Sequence, residues 1–142
     1  MKHICILGST GSIGTSTLSI IERYPERFAV VSLAAGRNLD LAFNQCQRWR
    51  PLLVSLATEQ LASELALRLK DAGLIGTEVV YGSAGTVRAA TLPQVDFVVS
   101  AIVGVAGLEA TYAAVAAGKP AAVARAEMVV CPAVLRGVHV PE

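Results

Sequence analysis

Ile4-Cys5-Ile6-Leu7-Gly8-Ser9-Thr10-Gly11-Ser12-Ile13-Gly14 carries an apolar run into a glycine-rich turn and then, almost at once, into a helical pattern. Strand, glycine turn and helix in that order make a phosphate cradle. Gly8, Gly11 and Gly14 can bring backbone N–H groups against a pyrophosphate with no Cβ in the way, while the positive end of the following helix faces the anion. The spacing is G-x-x-G-x-x-G, not the better-known G-x-G-x-x-G, so the pattern takes its weight from position: an Ile/Cys/Leu strand before it and an amphipathic helix after it. The helix reading uses Ile13, Leu18, Ile20 and Ile21 as the apolar positions, with hydroxyls at Thr10, Ser12 and Thr15 near its start and Tyr24-Pro25 at its end. A dinucleotide is the ligand this stretch predicts.

A chain of 142 residues fits one domain and can bury a real core. Hydrophobic residues make up 54% and charged residues 16%, yet no uncharged apolar run reaches the roughly 18 residues that span a bilayer. The nearest, Phe97 to Leu108, is interrupted by Ser100, Gly104 and Gly107. A parallel sheet covered on both faces explains such runs, because its strands are buried on two sides. A net charge of +1 and 5% aromatic content give no electrostatic or stacking case for nucleic acid, and none for a membrane surface. Cys5, Cys46 and Cys131 are odd in number and widely separated, and read as buried small hydrophobes in a reducing cytosol. His3 and His139 form no ligand cluster, and no metal site is expected in this chain. Met1-Lys2-His3 runs straight into a strand, with no targeting segment expected, and the localisation expected is cytoplasmic.

Short apolar runs alternate with helical stretches along the chain, the βαβ pattern of a doubly wound fold. Strands are expected near 3–7, 28–34, 52–56, 78–81, 95–100 and 121–124. Helices are expected near 12–24, 39–49, 58–72 and 105–118, with a short turn or helix around 84–90. The clearest is the third: Leu61, Leu65, Leu67 and Leu69 supply its apolar surface, Thr58 its N-cap and Gly73 its stop. Together these give an α/β, Rossmann-like, doubly wound and mostly parallel sheet in a three-layer αβα single domain over residues 1–142.

The end of the second strand bears on which dinucleotide is preferred. NAD-binding units commonly place a carboxylate there to accept hydrogen bonds from the adenosine ribose. Here Ala34-Ala35 runs into Gly36-Arg37-Asn38, with no acid before Asp40. An Arg in that place pairs with a 2′-phosphate, and the missing carboxylate removes repulsion. NADPH is therefore expected over NADH, and Asp40 favours the start of the next helix. Arg48-Trp49-Arg50 before Pro51 reads as a helix terminus and not as a nucleic-acid patch. Val95 to Ser100 is a buried strand whose end lies where open α/β sheets present ligands, so Ala101, Ile102 and Val103 pack either near a nicotinamide ring or simply in the core.

Taken together, G-S-T-G-S-I-G near the N-terminus, A-A-G-R-N after the second strand, S-A-I-V-G-V-A-G-L after a later one and A-G-K-P before the last resemble the 1-deoxy-D-xylulose 5-phosphate reductoisomerase family. The resemblance covers nearly the whole chain and corresponds to that family's N-terminal NADPH-binding domain. It implies diphosphate contacts from Thr10, Gly11, Ser12 and Ile13, and ribose-phosphate contacts from Gly36, Arg37 and Asn38. It also implies a reaction: 1-deoxy-D-xylulose 5-phosphate becomes 2-C-methyl-D-erythritol 4-phosphate in the non-mevalonate route to isoprenoid precursors. A divalent Mg2+ or Mn2+ chelates the substrate during rearrangement, and NADPH reduces the resulting aldehyde.

The chain departs from the family at one seam. After the last strand the family carries Asn-Lys-Glu, while this chain reads Ala124-Arg125-Ala126-Glu127-Met128. Arg125 lacks the amide acceptor of Asn, and Ala126 lacks an ammonium. Arg125 and Glu127 complete the expected cofactor contacts. The family's Asp-x-Glu metal motif and catalytic domain would follow Glu142, so the expectation is cofactor binding without turnover, no catalytic residue in this chain, and metal and sugar phosphate only with the further domain. A homodimer is a further expectation. The alternative is a non-catalytic nucleotide-binding or interaction module derived from the same fold. A self-contained short-chain-type oxidoreductase would want Tyr-x-x-x-Lys, and Tyr24, Tyr81 and Tyr112 are followed four places on by Phe28, Gly85 and Ala116.

Overall fold

The first strand, β1 (Lys2–Leu7), shows why the sheet must be covered on both faces. Ile4 and Ile6 are buried on one side and Cys5 and Leu7 on the other, since successive strand side chains alternate. The computed structural model describes residues 1–102, 105–123 and 128–130. Along them run α1 (Ser12–Ile21), β2 (Phe28–Gly36), α2 (Leu39–Trp49), β3 (Leu53–Leu56), α3 (Glu59–Asp71), β4 (Glu78–Tyr81), α4 (Gly82–Thr91), β5 (Phe97–Ser100), α5 (Val105–Ala116), β6 (Ala121–Val123) and β7 (Met128–Val130).

Among the described residues the strands form one seven-stranded sheet in the order β4-β3-β2-β1-β5-β6-β7. Every pairing is parallel except β6 with β7, which is antiparallel. The order reverses between β1 and β5, which makes their C-terminal ends the switch point where a crevice opens. One core lies beneath α1, α2 and α3, built on Ile6, Leu33, Val54 and Leu65. The other lies beneath α4 and α5, built on Leu7, Leu53, Val98 and Val115. This is the expected three-layer arrangement.

Several local expectations need correction. Helix α1 stops at Ile21, short of 24, because Pro25 lacks an N–H and its ring crowds the carbonyl four residues back, at Ile21. On that helix only Gly14, Leu18 and Ile21 are buried, while Ile13 and Ile20 are exposed. On α3 the buried residues are Ala62, Leu65 and Leu69; Leu67, about 200° around the helix from Leu65, faces solvent at 61% exposure. The stretch expected as a short turn or helix near 84–90 is the ten-residue helix α4. Its small residues hid it: a Cβ added at Gly85 would lie 2.6 Å from the Ser55 hydroxyl of β3, so the helix packs too closely on the sheet for larger side chains. Strand β7 was not expected at all.

The chain ends of α2 and α3 follow the sequence signals. Thr58 Oγ1 accepts from the Leu61 N–H at 3.2 Å, and Arg50 closes α2 in a left-handed conformation just before Pro51. Arg48 pairs with Glu22 at 3.0 Å and lies over the Trp49 ring, which accounts for the basic-aromatic triplet. Cys5 and Cys46 are buried, and desolvation pushes both thiols up to about 12; Cys131 lies outside the described residues.

The α3 correction yields a direct test by chemical denaturation. Leu65→Ala should cost about 2–5 kcal/mol, the range for an aliphatic side chain removed from a packed core. Leu67→Ala should stay within about 0.5 kcal/mol. Comparable losses at the two positions would contradict the assigned helix face.

Candidate functional site

The glycine turn is tied down from beneath. Both the Gly8 and Ser9 N–H groups donate to the Ala34 carbonyl, at 2.8 and 3.0 Å, and the Thr10 hydroxyl donates to the Ala35 carbonyl at 2.6 Å. The Gly11 N–H donates back to the Gly8 carbonyl at 3.2 Å. These bonds correct the simple picture of three glycine amides facing an anion. The Gly8 amide is spent inward, whereas the Thr10, Ser12 and Ile13 N–H groups have no protein acceptor among the described residues. Nor does any side chain cap α1, whose N-cap is Gly11. The first turn of a helix left in that state can receive an anion.

The three glycines do different work. A Cβ on Gly8 would sit 2.9 Å from the Ala101 backbone, and its φ of +84° is disfavoured for any other residue. A Cβ on Gly14 would lie 2.1 Å from the Gly8 carbonyl, so that glycine lets α1 seat on the turn. Gly11 has ordinary backbone angles, and a Cβ there would meet nothing nearer than the Gly8 oxygen at 3.6 Å. The fold makes no demand for glycine at 11. Only a ligand lying against the turn would.

Gly36, Arg37 and Asn38 follow β2 directly beside this turn. Gly36 carries a φ of +71°, and the Thr10 hydroxyl is the nearest atom to its missing Cβ, at 4.0 Å. Asn38 caps α2, its Oδ1 accepting from the Leu41 N–H at 3.1 Å, which leaves the amide N–H groups as its donors. Arg37 is exposed and enters no ion pair among the described residues. The acid nearest in sequence, Asp40, turns instead to Arg68 of α3 at 2.6 Å. A guanidinium with no ion pair among the described residues therefore stands next to this turn.

Ala101 and Ile102 follow β5 on the other side of the switch point. The close approach of Gly8 to both residues joins the turn to the end of β5. Val103, Arg125 and Glu127 lie outside the described residues. A cleft of about 360 Å³ opens along this edge, from Gly8, Thr10 and Ile102 to Leu56 and to Ser83 and Thr86 at the start of α4. Sequence reasoning missed its far wall. Strand–Gly82–Ser83–helix repeats the order of Gly11-Ser12, and that transition was the available signal. Ser55, 1% exposed, also borders the cleft, with its hydroxyl unpartnered.

The family model described as 1-deoxy-D-xylulose 5-phosphate reductoisomerase matches residues 4–133. The reductoisomerase of Synechococcus sp. (strain CC9605) is 52% identical over 133 residues, covering 92% of this chain and 32% of the relative. That of Methylococcus capsulatus is 48% identical over 130 residues, covering 92% and 33%. Among solved structures, a DOX-P reductoisomerase in complex with NADPH, fosmidomycin and magnesium is similar with a TM-score of 0.84 and 36% identity, over 89% of this chain and 31% of that one. The reductoisomerase of Zymomonas mobilis in complex with NADPH has a TM-score of 0.78 and 36% identity, over 87% and 32%. The chain thus spans about a third of the length of the curated relatives it matches.

The division of labour among the glycines is testable by urea denaturation without any ligand. Gly14→Ala should destabilise by about 1–3 kcal/mol through overpacking, and Gly11→Ala should cost less than about 1 kcal/mol, the loss of a glycine N-cap. Equal losses would mean that the fold itself requires Gly11.

Proposed function

The chain belongs to the 1-deoxy-D-xylulose 5-phosphate reductoisomerase family, and from that premise we propose that it binds NADPH along the C-terminal edge of its sheet. In the whole enzyme the bound cofactor would supply the hydride that completes conversion of 1-deoxy-D-xylulose 5-phosphate to 2-C-methyl-D-erythritol 4-phosphate. One observation carries the reading. A turn with unspent N–H groups and a glycine that the fold does not need lies beside an exposed arginine with no acidic partner among the described residues.

The Thr10, Ser12 and Ile13 N–H groups, with the positive end of α1, would hold the diphosphate. Arg37 would pair with the 2′-phosphate, assisted by the remaining donors of Asn38, and the engagement of Asp40 by Arg68 removes the carboxylate that would repel it. Ala101 and Ile102 border the switch point on the side opposite Gly36, where the nicotinamide end would lie. No group of three or more His, Cys, Asp and Glu side chains comes together among the described residues. Metal and sugar-phosphate recognition are assigned to the part of the family enzyme that this segment does not match, since the segment covers about a third of its relatives' length, and the segment by itself would bind cofactor without turnover. A cytoplasmic location fits the two buried free thiols of Cys5 and Cys46.

Titration of the chain with NADPH and NADH, followed by nicotinamide fluorescence, should show saturable binding with NADPH preferred. Arg37→Asp should cut that preference by roughly ten- to a hundredfold, the worth of a charge-assisted bond to phosphate. Gly11→Ala should weaken NADPH while leaving the fold intact. Equal affinities for the two nucleotides in the unsubstituted chain would contradict the assignment of Arg37.

A further inference from the structure

Gln45 sits on α2, two turns beyond the residues assigned to the 2′-phosphate, and is only 6% exposed. Its Nε2 donates to the Ser9 carbonyl at 2.8 Å, across 36 residues of sequence. Among the described residues its Oε1 has no partner, and neither has the hydroxyl of Ser9, which is fully buried. Burying an amide that satisfies only one of its ends is costly, so a purely structural account explains the residue poorly.

Stereochemistry supplies the missing reason. In a planar trans peptide the carbonyl of one residue and the N–H of the next point in opposite directions. Holding the Ser9 carbonyl towards α2 therefore aims the Thr10 N–H away from α2, where it has no acceptor among the described residues. The preceding amides cannot fix this orientation. The Gly8 and Ser9 N–H groups are bound to the Ala34 carbonyl on one side and the Thr10 hydroxyl to the Ala35 carbonyl on the other, but among the described residues only Gln45 binds the Ser9–Thr10 peptide group itself.

We propose that Gln45 is a positioning residue for the nucleotide: through the Ser9 carbonyl it orients the Thr10 N–H towards the cofactor diphosphate. The inference rests on the NADPH reading above and deepens it. One helix then serves both anions of the ligand. The start of α2 carries Arg37 and Asn38 for the 2′-phosphate, and its interior holds the turn that receives the diphosphate.

The test compares NADPH with adenosine 2′-monophosphate, which offers the 2′-phosphate and no diphosphate. In the full 142-residue chain, Gln45→Leu should weaken NADPH about tenfold, as expected for a lost oriented donor. The same substitution should leave adenosine 2′-monophosphate within about twofold. Gln45→Met, unbranched and similar in length, should behave alike and serves if the Leu variant does not fold. Parallel loss of both ligands would mean that Gln45 only stabilises α2, and unchanged NADPH affinity would mean that the peptide is oriented without it. Either result overturns the proposal. Absence of saturable NADPH binding by the unsubstituted chain would instead overturn the functional reading beneath it, before any variant is compared.

Discussion

Two carbonyls at the end of β2 hold this site together. Ala34 accepts from both Gly8 and Ser9, and Ala35 accepts from the Thr10 hydroxyl, so the glycine turn is fastened to the neighbouring strand before any ligand arrives. The fastening has two consequences. It uses up the first amides of the turn and leaves those of Thr10, Ser12 and Ile13 without acceptors among the described residues. It also fixes the turn relative to Gly36, Arg37 and Asn38, which leave the same strand one to three residues later. A cofactor with a diphosphate and a 2′-phosphate needs both anion sites at a set separation, and preorganised sites lose less free energy on binding.

The second constraint is contact across the switch point. Gly8 approaches the Ala101 backbone so closely that a Cβ would overlap it, and Gly107 likewise approaches the carbonyl of Ile102. The ends of β1 and β5 are thereby drawn together over cores that bury Leu7 and Val98 to exclude water entirely. Substitution at Gly8 would therefore disturb both the turn and the end of β5, whereas a Cβ at Gly11 would clash with no protein atom among the described residues.

Much of this architecture was legible in the chain. Alternating strand and helix patterns gave the doubly wound sheet because buried parallel strands are written as uninterrupted apolar runs, and Thr58 was legible as the cap of α3, whereas the capping of α2 by Asn38 was not. What could not be read was geometry that depends on neighbours. Leu67 matches a leucine-rich face by composition, yet helical rotation turns it to solvent. Ile13 and Ile20 are apolar but exposed, Ile13 beside the site. The α4 helix is built from Gly85, Ala89 and Ala90, whose smallness serves close packing and weakens the helical signal. The turn was visible as a cradle, but which way its amides point is decided by Ala34 and Gln45, distant in sequence. Family likeness over residues 4–133 motivates the NADPH proposed above, and the arrangement of donors gives the proposal its physical basis.

Amide-resolved NMR during NADPH titration tests the account most directly. The Thr10, Ser12 and Ile13 resonances should move most, together with Arg37, while the Gly8 and Ser9 amides stay protected from hydrogen exchange before and after binding because their bonds to Ala34 persist. Large shifts and lost protection at Gly8 and Ser9, with Thr10 and Ser12 unmoved, would contradict it.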